Sequence, residues 1–229
     1  MSISRRSLLN ASLAFTASTA ISPGLSRAST LVAREIISST RLFVSQCIAG
    51  STVSATFVDG IAAGLYHSNG QLSPPALTPV VSGSTFGQVV SDLEGARGST
   101  VFALLSGEDA VLVNEGLRVV GAKVVSYGTH NANAHRFVTG SFCAGVGGIF
   151  ASSLEAGVGN CTIDEICLGR VSAAPPRLVQ SGSEWPFRLG YVLARSMSGG
   201  SSDVPASVLQ EGWYRFPFDT DLVSVVSKI

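Results

Sequence analysis

The stretch from Ser99 to Asn131 constrains the fold more than any other, because every local signal within it agrees. Val101 to Leu105 are consecutive apolar residues, the composition of a buried strand. Ser106-Gly107-Glu108-Asp109 follows, with a hydroxyl and carboxylates placed for a capping box at a helix start. Ala110, Val113, Leu117 and Val120 then fall on one apolar stripe, with Asn114, Glu115 and Arg118 off it. Gly121 ends this helix, and Lys123 to Tyr127 read as a second strand one residue later. A strand, a helix and a strand joined this tightly predict a right-handed βαβ unit with parallel strands.

The residues before this unit repeat the alternation. Leu42 to Ile48 reads as a strand, and Ser51 or Thr52 caps a helix in which Val53, Phe57, Ile61 and Leu65 share a face. Leu77 to Val81 predicts a short strand that Pro79 places at a sheet edge or delays until after the proline. Ser84 to Leu93 reads as a helix, with Phe86, Val89, Val90 and Leu93 on one side. Beyond the unit, Gly128 to His135 lacks period and predicts a loop; Val146, Ile149, Phe150 and Leu154 predict a helix that Gly157 terminates. Thr162 to Leu168 fits a short strand or a capped turn, and Val171 to Arg177 a surface connection. A last helix is expected from Ser183 or Glu184 to Met197, followed by a tail rich in aromatic residues: Trp213, Tyr214, Phe216 and Phe218. The whole predicts an α/β fold over residues 29–229: a single-domain three-layer sandwich with a mainly parallel, Rossmann-like sheet of four to five strands.

The N-terminus is of another kind. Ser4-Arg5-Arg6-Ser7-Leu8-Leu9-Asn10 resembles the twin-arginine (Tat) export signal, with Leu8 where phenylalanine is commonest and Asn10 where lysine is usual. A mildly apolar stretch from Leu8 to Ile21, then Pro23, leads to Ser26-Arg27-Ala28, whose small residues suit signal peptidase cleavage after Ala28. The resemblance covers residues 1–28 and implies a bacterial protein that reaches the periplasm already folded. That route serves proteins that bind a cofactor before export, proteins that travel with such a partner, and some that fold fast. The apolar stretch is too short and too rich in Ser, Thr and Ala to remain as a membrane anchor.

Removing 28 of the 229 residues leaves 201, a natural size for one α/β domain. Three of the 15 basic residues leave with the signal, so 12 remain against 15 acidic ones. Lys123 and Lys228 are the only lysines, and a weakly acidic chain without basic clusters has no electrostatic footprint for nucleic acid. Charged residues make up 13%, about half the usual share, which leaves a surface of small polar residues or one covered by a partner. Cys47, Cys143, Cys161 and Cys167 are an even set bound for an oxidising compartment. A local Cys161–Cys167 bridge across CTIDEIC would leave Cys47 to pair with Cys143. Their spacing does not match a zinc ribbon, an iron–sulfur run or a CxxC redox motif.

In an open parallel sheet, ligands bind beyond the carboxyl ends of the strands. That rule selects Cys47, Ser51 and Thr52, then Ser82 and Ser84, then Ser106, Gly107, Glu108 and Asp109, then Thr129, His130 and Asn131, with His135 near the same rim. Ser51, Thr52, Ser106, Gly107, Thr129 and Asn131 are the expected contacts for a small polar or anionic ligand, although Ser51, Thr52, Ser84 and Ser106 are explained fully, and more simply, as helix caps. His130 and His135, supported by Glu108, are the candidates for proton transfer. Pairing Ser106 with His130 as nucleophile and base lacks the G-x-S-x-G elbow, and the five-residue histidine step matches no metal-ligand signature. Gly116 to Lys123 lacks the lysine position of a phosphate loop, and Gly145 to Phe150 lacks the last glycine of a dinucleotide fingerprint, so no cofactor is identified. Three functions remain: a non-catalytic periplasmic ligand-binding or accessory protein beside a cofactor-bearing enzyme, a small hydrolase or metal-dependent enzyme using His130 and His135, or a structural envelope protein. The aromatic C-terminal region is the candidate surface for a protein partner.

Overall fold

The apolar run at Val101 becomes the buried centre of a sheet. In a computed structural model that describes residues 40–69, 80–81, 85–131, 133–140, 143–154, 161–169, 174–179, 185–198 and 221–229, Val101 to Leu105 expose no surface. They form β3 (Thr100–Ser106), which leads directly into α3 (Gly107–Val119). Ser106 caps that helix, its Oγ accepting from the Asp109 N–H at 3.3 Å, and Gly121 leaves it at φ +74°. β4 (Lys123–His130) follows. Before this unit come β1 (Thr40–Val44), α1 (Thr52–Asn69), β2 (Val80–Val81) and α2 (Phe86–Glu94). After it come β5 (Ala134–Thr139), α4 (Val146–Ser153), β6 (Cys161–Cys167), β7 (Ala174–Val179), α5 (Trp185–Met197) and β8 (Leu222–Lys228).

The eight strands of the described residues lie in one sheet, in the order β2-β1-β3-β8-β4-β5-β6-β7. The sheet is α/β but mixed, which corrects the mainly parallel, four- to five-stranded expectation. Parallel pairs are β1 with β2, β1 with β3, and β5 with β6; the other four are antiparallel. The main cause is β8. It inserts between β3 and β4 and runs against both, so those two strands keep a common direction without pairing. The serines and valines of LVSVVSK carry too weak an alternation to announce a central strand. The expected loop at His135 is β5, and the expected surface connection is β7, an edge strand that tolerates Pro175 and Pro176. β2 begins directly after Pro79 and lies at the opposite edge.

Helices cover both faces. Leu42, Phe102, Leu104, Leu222 and Val226 pack with α1, α4 and α5, while Phe43, Val101, Ala103, Leu105, Val223 and Val225 pack with α2 and α3. The second face is covered only in part: on β6 and β7, Thr162, Ile166 and Leu178 are exposed.

α1 and α5 meet backbone to backbone through glycine. A Cβ on Gly64 would lie 2.6 Å from the Tyr191 carbonyl oxygen and 2.7 Å from the Ala194 Cβ. One on Gly60 would meet the Phe187 carbonyl, and one on Gly190 the Phe57 carbonyl. The obstacle in each case includes main chain, which cannot swing aside. Gly60→Ala and Gly190→Ala are therefore expected to destabilise the fold by about 1–3 kcal/mol through overpacking, although alanine favours an isolated helix by about 1 kcal/mol. Urea denaturation of each variant measures the difference, and an unchanged midpoint would contradict this packing.

Candidate functional site

A single inserted residue sets which side of β4 faces the main core. Val124 pairs with Ser227 and Ser126 with Val226, leaving Val125 as a bulge. Because side chains alternate along a strand, this one residue reverses the parity of everything after it. Ser126, Gly128 and His130 consequently turn toward α5, while Tyr127 and Thr129 turn to the other face.

His130 thereby enters the core. Its Nδ1 lies 3.1 Å from the Nδ1 of His135, its partner across the β4–β5 hairpin, and its Nε2 shares a 2.7 Å hydrogen bond with the Ser224 hydroxyl of β8. Neither histidine exposes surface. Trp185, the first residue of α5, stacks on His130 with ring centroids 5.5 Å apart and tilts over His135 at 5.0 Å. Phe137 and Phe150 meet the pair edge-on. Burial, and then the neighbouring His135, hold His130 well below the usual imidazole range; burial brings His135 down to about 3. Both are neutral near pH 7. Gly128 makes room for them, since a Cβ there would lie 2.6 Å from Ser224 Oγ and 2.7 Å from His130 Nε2.

The expected catalytic set is not assembled. Ser106, Leu222 and His130 are register partners across β3, β8 and β4, so Leu222 stands between the serine and the histidine and holds their strands about 10 Å apart. The inserted strand thus rules out Ser106 as a nucleophile for His130. Glu108 is exposed in the first turn of α3, on the opposite face of the sheet from both imidazoles. Asn131 shapes the hairpin: its Oδ1 accepts from the Asn133 and Ala134 N–H groups at 2.9 and 2.8 Å, and its Nδ2 donates to Asp221 at 3.1 Å.

None of Cys47, Cys143, Cys161 and Cys167 is in a disulfide. Cys161 and Cys167 end the same seven-residue strand, so their Cα atoms are about 20 Å apart and the expected local bridge cannot close. Cys47 is exposed, whereas Cys143 is buried and donates to the Met197 sulfur at 3.6 Å, with no bond between the two cysteines. Burial, with the Glu165 carboxylate adding to it, pushes the Cys143 thiol up to about 12, so it is protonated and unreactive.

Glu165, which sequence reasoning passed over, organises this region. Its Oε1 accepts from Thr139 Oγ1 at 2.7 Å and the Gly145 N–H at 2.8 Å, and its Oε2 from the Gly147 N–H at 3.0 Å. It thus supplies the missing side-chain cap for α4, whose own N-cap position is Gly145 at φ +93°. A Cβ on Gly147 would lie 2.9 Å from the Glu165 Cβ, so glycine is what lets the carboxylate reach the helix end. The alternation through CTIDEIC was the available signal, and the cysteines at its ends obscured it.

The remaining rim residues do gather at one edge. β1 is flanked by β2 and β3, and the crossover through α1 lies on one face while those through α2 and α3 lie on the other. The carboxyl ends of β1 and β3 therefore form a topological switch point, the place where open α/β sheets bind ligands. Ser45, buried there, accepts from the Ser106 N–H at 2.6 Å and ties the two strand ends together. Ser51 caps α1, accepting from the Ser54 N–H at 3.3 Å. Thr52 and Gly107 are exposed, and Ser51 and Ser106 partly so. The first turn of α1 holds no acidic residue, whereas that of α3 holds Glu108 and Asp109. Ser82, Ser84, the twin-arginine-like segment and Trp213 to Phe218 lie outside the described residues.

Comparison with protein-family models, with curated proteins and with solved structures gives no match. Among the described residues, no group of three or more His, Cys, Asp or Glu side chains is placed to hold a metal ion.

Glu165→Gln replaces one of the acceptor oxygens with a donor facing another donor. The expected result is a loss of about 2–3 kcal/mol, measured by urea denaturation. A stability equal to that of the unaltered protein would show that the carboxylate does not hold the α4 end.

Proposed function

We propose that this chain is a non-catalytic binding protein for a small polar ligand, exported through its twin-arginine-like N-terminus and acting in the periplasm. The observation that carries this reading is the switch point between β1 and β3, where α1 and α3 begin at one edge with Ser51, Thr52, Ser106 and Gly107 at least partly exposed. The two helix starts differ in charge. The α1 N-terminus, without acidic residues, suits an anionic group, and Glu108 with Asp109 at α3 suits a hydrogen-bond donor or cation. A zwitterion or a hydroxylated acid satisfies both ends. Such a protein can act alone or deliver its ligand to a cofactor-bearing enzyme.

A hydrolase is the second reading. Ser224, His130 and His135 are hydrogen-bonded in the order nucleophile, base and orienting group. Against it, Ser224 and both histidines are buried beneath α5, so no substrate carbonyl reaches the hydroxyl.

Native mass spectrometry of the full chain against a panel of amino acids and hydroxy acids tests the binding reading. One member is expected to bind, and Thr52→Asp is expected to weaken it at least tenfold while leaving α1 intact, because aspartate favours a helix N-terminus. Absence of binding across the panel, or binding indifferent to both Thr52→Asp and Gly107→Asp, would sink it. Labelling of Ser224 by a fluorophosphonate would move the assignment to a hydrolase.

A further inference from the structure

We propose that His130 and His135 form an acid-operated latch on the β4–β5 hairpin, holding it closed at neutral pH and releasing it, with the first turns of α5, when the pair takes up a proton. The geometry allows the pair a single bridging proton. At an Nδ1–Nδ1 distance of 3.1 Å, one ring must donate and the other accept. A further proton on the accepting Nδ1 would set two N–H donors against each other. The other vacancy depends on which ring donates: it is His130 Nε2, where the Ser224 hydroxyl can turn to accept, or His135 Nε2, a buried atom with no hydrogen-bond partner, enclosed by Trp185 and Phe150; neither position faces a carboxylate. A charge placed at either is desolvated without a counter-charge.

The neighbouring groups offer no relief. On β6, Glu165 is the buried charged residue, and its oxygens are committed to Thr139, Gly145 and Gly147. Cys161 on the same strand, and Cys143 ahead of α4, are buried thiols, and α4 itself carries no ionisable side chain. Asp221, at the start of β8, accepts from Asn131. Arg136 on β5 is exposed, Arg188 and Arg195 on α5 have partners of their own, and Tyr191 is a neutral phenol. Asp59 and His67 on α1 are exposed. Ser224 contributes a hydroxyl alone.

Opening restores each imidazole to its ordinary value near 6.5, whereas the closed state keeps His135 neutral down to about 3. The sign follows from proton uptake: the closed hairpin is fully favoured above about pH 6.5 and loses its advantage as pH falls toward 3, tenfold per pH unit for each histidine released. Between pH 7.5 and 5.0 this amounts to about 30-fold for His135 alone, with the release of His130 multiplying it, in a range above the usual titration of Asp and Glu.

Hydrogen exchange of the full chain at pH 7.5 and 5.0, corrected for intrinsic rates, reads this directly. Amides in residues 127–139 and 185–193 are expected to lose protection by at least about 30-fold while those of β1 and β3 lose less than threefold. His135→Phe, which keeps a ring and removes two titrating nitrogens, is expected to cut that pH dependence by about 30-fold, the share of His135, and to leave the share of His130. Equal protection at the two pH values, or a uniform loss across the sheet, would overturn the latch. Should the variant fail to fold, the exchange pattern of the unaltered protein decides alone.

Discussion

Each half of this sheet depends on a strand that belongs to neither. β2, β1 and β3 form one set, and β4 to β7 another, and among the described residues the strand ladder that joins them runs through Leu222–Lys228. Buried peptide groups must be paired, so β3, with no exposed side chain from Val101 to Leu105, cannot leave its second edge open. The same insertion pulls Ser106 and His130 apart and brings Ser224 to His130. Fold and site chemistry are thus settled by one seven-residue segment.

What the sequence made legible was local. The helix that Ser106 caps, the helix with Val53, Phe57, Ile61 and Leu65 inward, and the last helix ending at Met197 all form where period and caps placed them. Those signals act over a few residues, and nothing remote overrides them. The pairing of strands is a contest between distant segments, and the apolar run of β3 does not say whether β4 or β8 will lie against it. The bulge at Val125 was equally silent, since Lys123 to Tyr127 reads as a plain strand and only its partner's register exposes the extra residue. Part of the site was legible for the same reason. Ser51, Thr52, Ser106 and Gly107 follow from strand ends and helix starts, whereas His130 and His135, adjacent in a supposed loop, turn out to be paired because that loop is a hairpin.

Two polar sets within the core share a logic. Glu165 is satisfied by three donors, and the two histidines satisfy all but one of their ring nitrogens through each other and Ser224. Glycine stands beside both sets, Gly147 against the carboxylate and Gly128 against the imidazole and hydroxyl. A hydrophobic replacement would pack in many arrangements; these hydrogen-bond sets accept one register of β4, β5 and β6. The energetic return on such burial is modest, and its main effect is to penalise the wrong pairing.

The position of β8 also bears on the order of events during synthesis. β8 follows the other seven described strands in the chain yet is wedged into the middle of the sheet, so until it is made β3 and β4 each present an open edge. Long-range pairing of this kind slows folding and leaves edges available to the wrong partner. The two halves therefore spend their growth as incomplete sheets, and the sheet closes only once β8 is available. A product cut short before Leu222 is not a slightly smaller protein but a pair of half-sheets left to hold together through the contact of α1 with α5.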